Sequence, residues 1–210
     1  MWTYVVSMIC WLKKGIRRLA LPQTITNNRI LRLPIISYDG PIILVETLQD
    51  AISCVEELKE ESVIGFDTET KPCFRKGEFH EPSVVQLAGK DKVYIFQLSK
   101  IGGLTALLPL FCDGDILKVG VGVEHDLSGL RTIEQFSAAG FFDLSELSHK
   151  LGVKNTGLRT LSGIFLKRRL SKNMQLSDWS QPILSDKQKI YAATDAWISR
   201  ILYFRMSELI

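Results

Sequence analysis

Five residues spread along the chain could together do chemistry that none could do alone. Asp67 and Glu69 lie in VIGFDTET, Asp126 in KVGVGVEHDLSGL, and Tyr191 with Asp195 in YAATDAW. Carboxylates are hard oxygen donors, and no histidine or cysteine cluster accompanies these four. The set therefore favours Mg²⁺ or Mn²⁺ over zinc. Four such carboxylates can hold two divalent ions about 4 Å apart, one activating a water and the other stabilising a leaving oxygen. A phenol nearby would orient that water. The chemistry this apparatus suits is phosphodiester hydrolysis.

The elements that must position these groups can be read from hydrophobic pattern. Ser62 to Glu69 is a short apolar run ending in acids, as in a buried strand. Side chains alternate along a strand, so Asp67 and Glu69 point to one face and Thr68 to the other. Two carboxylates so close would raise one another's pKa unless a cation joins them. Asp126 follows the apolar strand Leu117 to Val123 and is expected at a strand-to-helix turn, with Gly120 and Gly122 allowing close backbone approach. Tyr191 and Asp195 are four apart on a helix, hence on one face. Ser185 and Gln188 form a candidate capping box that starts this helix.

Around them, strands are expected at Ile42–Val45, Val84–Ala88, Val93–Gln97 and Gly140–Asp143, with a hairpin turn at Gly89 to Lys92. Helices are expected over Thr47–Glu60, with Thr47 as N-cap, over Ile101–Phe111 and over Asp126–Phe136. After Leu144 the pattern is helical to the end, with breaks at Gly152, Gly157 and Pro182. This is an α/β layout with a mixed sheet flanked by helices.

The length of 210 residues suits one domain with an extension, and 46% hydrophobic residues supply a sizeable core. A net charge of +3 leaves any nucleic-acid binding to local basic patches. Cys10, Cys54, Cys73 and Cys112 form no CxxC pair, which argues against zinc ligation and a disulfide framework. We read them as reduced, mostly buried thiols of a cytoplasmic protein. Trp2 to Leu12 is apolar and precedes Lys13, Lys14, Arg17 and Arg18. It is too short to span a bilayer and lacks the layout of a signal peptide, so no transmembrane segment is expected. A membrane-surface helix is one reading of this end; an unstructured extension, or a translation start placed upstream of the true one, is the favoured reading. Residues 1–40 are assigned to an irregular N-terminal extension and 41–210 to the folded domain.

The ordered segments resemble the DEDD superfamily of 3′–5′ exonucleases, in the subgroup that carries tyrosine in its third motif. The pattern is Asp-x-Glu, then an aspartate after a strand, then Tyr-x-x-x-Asp, here Asp67-Thr68-Glu69, Asp126 and Tyr191 to Asp195. KVGVGVEHD and LSDWSQPILSDKQKIYAATDA also look like the exonuclease domain of Werner-syndrome-type proteins and of stand-alone bacterial relatives. The resemblance covers roughly residues 41–207, and no expected acid is replaced. It implies a ribonuclease-H-like fold, two Mg²⁺ or Mn²⁺ ions on Asp67, Glu69, Asp126 and Asp195, and release of nucleoside 5′-monophosphates from 3′ ends. It also implies that Tyr191 orients the water. His125 beside Asp126 is then a neighbour and not the histidine that marks the other subgroup, which would stand at position 191.

Candidate substrate contacts are Thr68, Arg75, Lys76, His80, His125, Arg159 and Lys172, with Phe74 and Phe79 as wedges against terminal bases. Lys167, Arg168 and Arg169 read equally as a solvated face or as phosphate ligands. Trp179 reads as packing. DNA is the favoured substrate. The alternatives are an RNA-trimming enzyme of the ribonuclease D kind and a non-catalytic nucleic-acid-binding module. Ribonuclease D carries helical domains after its nuclease domain, whereas this chain ends 15 residues beyond Asp195. Oligomeric state is left open.

Overall fold

The computed structural model describes residues 21–210, so Cys10 and the apolar and basic run at 2–18 lie outside the described residues. The element order is α1 (Asn27–Leu31), β1 (Ile42–Val45), α2 (Leu48–Leu58), β2 (Val63–Thr70), β3 (Pro82–Ala88) and β4 (Val93–Gln97). Then follow α3 (Leu98–Ile101), α4 (Leu108–Phe111), β5 (Leu117–Gly120), α5 (Val123–Ile133), β6 (Phe141–Asp143), α6 (Leu144–Lys150), α7 (Leu158–Leu161), a π turn (Ser162–Leu166) and α8 (Asp186–Ser207). The strands form one six-stranded sheet in the order β1-β4-β3-β2-β5-β6. β2, β3 and β4 run antiparallel in turn, while β1 joins β4, β5 joins β2 and β6 joins β5 in parallel.

Helices cover both faces, and the alternation of β2 assigns its residues between them. Ile64 and Phe66 enter the cluster shared with α2, α4 and α5. Val63 enters the cluster shared with α6 and α8, and Gly65 meets the backbone of α8. A Cβ on Gly65 would lie 1.9 Å from the Ala196 carbonyl oxygen, which is backbone and cannot step aside. Only glycine lets α8 approach β2 this closely. Gly65→Ala should therefore cost about 3 kcal/mol, the upper end for overpacking, and depress activity with it, because Asp67 and Asp195 flank this contact. Urea melts and assays on the soluble variant check both.

Several elements match their expected bounds closely. Thr47 caps α2, its hydroxyl accepting from the Asp50 amide at 3.1 Å. Ser185 and Gln188 close the capping box at the start of the 22-residue α8. Other elements differ. The helix expected over 101–111 is two short helices, because Gly102 and Gly103 adopt positive φ between them. α5 begins at Val123, three residues early, with Gly122 in the left-handed region as its N-cap. Asp126 is thus in a helical first turn and not in a loop. Residues 167–184 contain no helix, against the helical expectation there.

Residues 21–40 were expected to be irregular, yet they are tied to the body of the protein. Thr26 caps α1 and Ile30 is buried. The Arg169 Nε donates to the Leu33 carbonyl at 2.9 Å, and the Tyr38 amide to the Thr194 hydroxyl at 2.9 Å. Lys167, though exposed, donates through Nζ to the Ile164 carbonyl. Lys167 and Arg169 of the basic run thus stabilise the chain's own backbone. Cys73 and Cys112 are exposed and Cys54 is partly buried, so the thiols are free but not mostly buried.

Candidate active site

The carboxyl end of β2 carries Asp67 and Glu69 onto the face covered by α8, where Asp195 points back from the helix. One carboxylate oxygen from each of these three lies within 4.8 Å of the others. Asp195 is only 8% exposed, while Asp67 and Glu69 are partly buried. Burial raises all three carboxyls and mutual repulsion adds to it for the strand pair. Glu69 is pushed up to about 9, with Asp195 and Asp126 as the repelling charges. Asp67 is raised well above the usual carboxylate range by burial, then by Asp126, Asp195 and Glu69. Asp195 rises to about 7 through burial, opposed by the Tyr191 hydroxyl.

Three acids so arranged, with no cation of the protein bonded to them, fit a divalent metal centre. The donors are all hard oxygens, and their mutual repulsion is what a cation would relieve. Structural ion pairs elsewhere do not offer this: none of the salt bridges among the described residues includes these acids.

Asp126 stands slightly apart. It belongs to α5, on the other face of the sheet, and its Oδ1 accepts from the Thr68 hydroxyl at 2.7 Å. Alternation explains this pairing, since Thr68 points away from Asp67 and Glu69. Thr68 therefore orients an acid, and its hydroxyl is already engaged. Asp126 is raised to about 6 by burial, with Thr68 and His125 opposing. It is close enough to add to the repulsion that raises Asp67. The close approach it needs comes from Gly120, whose added Cβ would meet the Phe66 carbonyl oxygen at 2.8 Å.

Tyr191 precedes Asp195 by one turn of α8. Burial raises its phenol, and the Asp195, Glu69 and Asp67 carboxylates raise it further, so the hydroxyl keeps its proton throughout the physiological range. Trp179, buried at 1% exposure, packs 6.0 Å from the Tyr191 ring at a 44° tilt. It is a packing residue, and what it packs is the phenol.

A cleft of about 530 Å³ opens from this centre and is lined by Asp67, Tyr191 and Asp195 and by Asn27, Arg159 and Lys172. Two of the candidate substrate contacts, Arg159 and Lys172, are thus brought to the acids. Arg75 and Lys76 are exposed on the loop between β2 and β3 and do not line this cleft. His80 lies 3.1 Å from Glu78 and lines a separate cavity of about 480 Å³. Phe74 and Phe79 are 76% and 63% exposed on the same loop, which Glu78 ties down by accepting from the amides of Phe74 and Arg75. His125 is exposed beside Asp126.

Two residues were missed by pattern reading. Asn27 lay in the supposed irregular lead-in. Gln86 is fully buried, stands opposite Asp67 in the β2–β3 register, and has no hydrogen-bond partner for either amide atom among the described residues. A lone polar residue in the otherwise apolar run SVVQLA was the available signal for it.

The chain and its fold are similar to known proteins. Residues 42–210 match the sequence model of a family described as 3′–5′ exonuclease. The chain is 29% identical over 187 residues to the bifunctional 3′–5′ exonuclease/ATP-dependent helicase WRN of Mus musculus, covering 84% of this chain and 13% of that one. It is 29% identical over 165 residues to ribonuclease D of Gluconacetobacter diazotrophicus, covering 77% of this chain and 41% of that one. Among solved structures, the Nibbler EXO domain of Aedes aegypti superposes with a TM-score of 0.74 at 25% identity, covering 85% of this chain and 90% of that one. The fold is ribonuclease-H-like. The chain spans well under half the length of both curated relatives named here. Among the described residues no helix is long and apolar enough to cross a membrane.

Proposed function

The chain belongs to the 3′–5′ exonuclease family, and on that premise we propose that it hydrolyses the terminal phosphodiester at the 3′ end of a nucleic-acid strand, releasing a nucleoside 5′-monophosphate. The observation that carries this reading is the convergence of Asp67, Glu69 and Asp195 within 4.8 Å, with Tyr191 one helical turn away. Tyr191, one turn before Asp195, supports the subgroup in which a phenol, not an imidazole, faces the water. Two Mg²⁺ or Mn²⁺ ions held by Asp67, Glu69 and Asp195, with Asp126 beside them, would supply the charge that activates the water and stabilises the leaving oxygen.

The protein's own residues do the positioning. Asp67 is repelled by Asp126, Asp195 and Glu69 together, which supports it as a shared ligand. Thr68 fixes Asp126. Tyr191, held by Trp179, keeps its proton and can donate to or accept from a water without ionising. Tyr191→Phe should lower kcat by roughly 10²–10³, the usual cost of removing one positioned hydrogen-bonding group. KM should change less than twofold and the thermal shift on adding Mn²⁺ should persist. A parallel loss of metal binding would instead make Tyr191 a structural residue.

DNA is the proposed substrate, as for the exonuclease domain resemblance. RNA is a second reading, favoured by an identity to ribonuclease D equal to that with the mouse exonuclease/helicase. Incubating the protein with matched single-stranded DNA, 3′-recessed DNA and RNA, in Mg²⁺, Mn²⁺ or EDTA, tests both. A ladder shortening from the 3′ end supports the reading and its nucleic acid identifies the substrate. Internal cuts, or binding without hydrolysis in either metal, would overturn it. The free thiols Cys54, Cys73 and Cys112 support a reducing, cytoplasmic setting.

A further inference from the structure

The cleft also has a wall that the hydrolytic reading does not use. Arg159, at the start of α7, lines it together with Lys172 and Asn27. The Arg159 Nε is buried without a hydrogen-bond partner, and neither cationic side chain has an ion-pair partner among the described residues. Buried polar groups are almost always paired, so a guanidinium nitrogen left unpaired at a cleft marks a partner supplied from outside. Two cations facing a cleft call for an anion, and the guanidinium fork suits the oxygens of a phosphate.

Resting on the exonuclease reading, the chemistry of a strand end identifies which phosphate. The scissile phosphate occupies the acids. The nucleotide being released has a free 3′-hydroxyl and no other phosphate. Neither cation forms an ion pair with the acids, and one that serves a phosphate other than the scissile one can meet it only on the side of the strand that stays behind. We propose that Arg159 and Lys172, with Asn27 as a neutral hydrogen-bonding contact, form a subsite for the phosphodiester upstream of the one cleaved.

The proposal gives residues 21–36 a part in binding. The family match begins at residue 42, so α1 lies outside it, yet Asn27 lines the same cleft as Asp67 and Asp195. The segment is held there by the Arg169 bonds to Leu33 and Pro34 and by the Lys154 amide donating to the Gln23 carbonyl.

The test compares two substrates that share the scissile bond. One is a ten-nucleotide strand. The other is the p-nitrophenyl ester of thymidine 5′-monophosphate, or of uridine 5′-monophosphate if RNA is preferred, which has no upstream phosphate. Arg159→Gln should raise KM for the strand about tenfold, the effect of one charge-assisted hydrogen bond. It should also reduce the slope of log KM against log salt by about 0.7, one phosphate contact on a single strand. Hydrolysis of the ester should change by less than twofold. Lys172→Gln should act in the same direction, and the exposed Asn27→Ala more weakly and without altering the slope. An equal loss on strand and ester would place Arg159 at the scissile phosphate or in folding and overturn the proposal. So would an unchanged salt slope. If the wild type hydrolyses neither substrate, the exonuclease reading fails. The slope is then read from equilibrium binding of a labelled strand, where its dependence on Arg159 decides whether this residue holds a strand phosphate.

Discussion

Asp67→Asn should abolish metal-dependent mononucleotide release, by a factor on the order of a thousand, while raising the melting temperature of the metal-free protein at neutral pH. Both effects come from one property. Asp67 feels repulsion from Asp126, Asp195 and Glu69 together, on top of its burial. Its ionised form is therefore costly without a cation, and the proposed metal site uses it as a shared ligand. Asparagine keeps the volume and removes the charge. The fold gains what the ionised acid costs, and the site loses its shared ligand. Activity assays in Mg²⁺ and Mn²⁺ read the first effect. Thermal melts in EDTA read the second, with a gain of about 2–4 °C for each kcal/mol recovered in a protein of this size. A variant that keeps full activity would dismiss the metal assignment. A variant that is inactive and destabilised would mean that Asp67 serves the fold.

The second large effect is a linkage between metal, pH and stability. Asp126, Asp195 and Glu69 have folded-state values of about 6, about 7 and about 9, against roughly 4 for unfolded carboxyls. Below pH about 4 both states hold these protons and no penalty arises. As pH rises, the unfolded chain releases them first, so the metal-free protein should lose stability progressively from about pH 4 to about pH 9. Lys118 adds an opposite slope at the alkaline end. It is fully buried and donates to the carbonyls of Asp113 and Ile116 at 2.6 and 2.8 Å. Burial lowers its ammonium to about 8, so the cost of keeping it charged is relieved as pH climbs from about 8 towards its ordinary value. Melts between pH 5 and 8 isolate the carboxylates. Mn²⁺ binds their ionised form, so its stabilising shift should grow across that window. At a hundred times Kd it reaches about 2.7 kcal/mol, or roughly 5–10 °C. A shift independent of pH, or one retained in a variant lacking both Glu69 and Asp195, would place the bound metal elsewhere.

How much of this was legible beforehand depends on the range of the interaction involved. Local signals were strong where the outcome is local. The capping box at Ser185 and Gln188, the N-cap at Thr47 and the strand alternation at Asp67, Thr68 and Glu69 follow from backbone hydrogen bonding and from a period of two. They appear as expected. Helix pattern was less reliable where glycine intervened. Gly102 and Gly103 split one apolar run into two helices, and Gly122 moved the start of α5 so that Asp126 lies on a helix.

Substrate contacts were the least legible. Arg75, Lys76 and His80 are near Asp67 in sequence but outside its cleft, because the loop joining the antiparallel β2 and β3 runs beyond the ends of these central strands. Arg159 and Lys172 are far from Asp67 in sequence and share its cleft. Gln86 and Asn27 carried no charge to draw attention.

The sequence alone determined which groups can do the chemistry. Acids of fixed type, at spacings of two along a strand and four along a helix, with a tyrosine one turn from the last, allow few uses other than holding divalent cations at a phosphodiester. Only the tertiary structure decided how they meet. It put Asp126 and Thr68 on one face of the sheet and the other three acids on the opposite face. It also brought Asn27 and Arg159 to a common wall. The physical reason is that side-chain periodicity is set by the local backbone, whereas the approach of α8 to β2 is set by a non-local steric allowance, the missing Cβ of Gly65 against the carbonyl of Ala196.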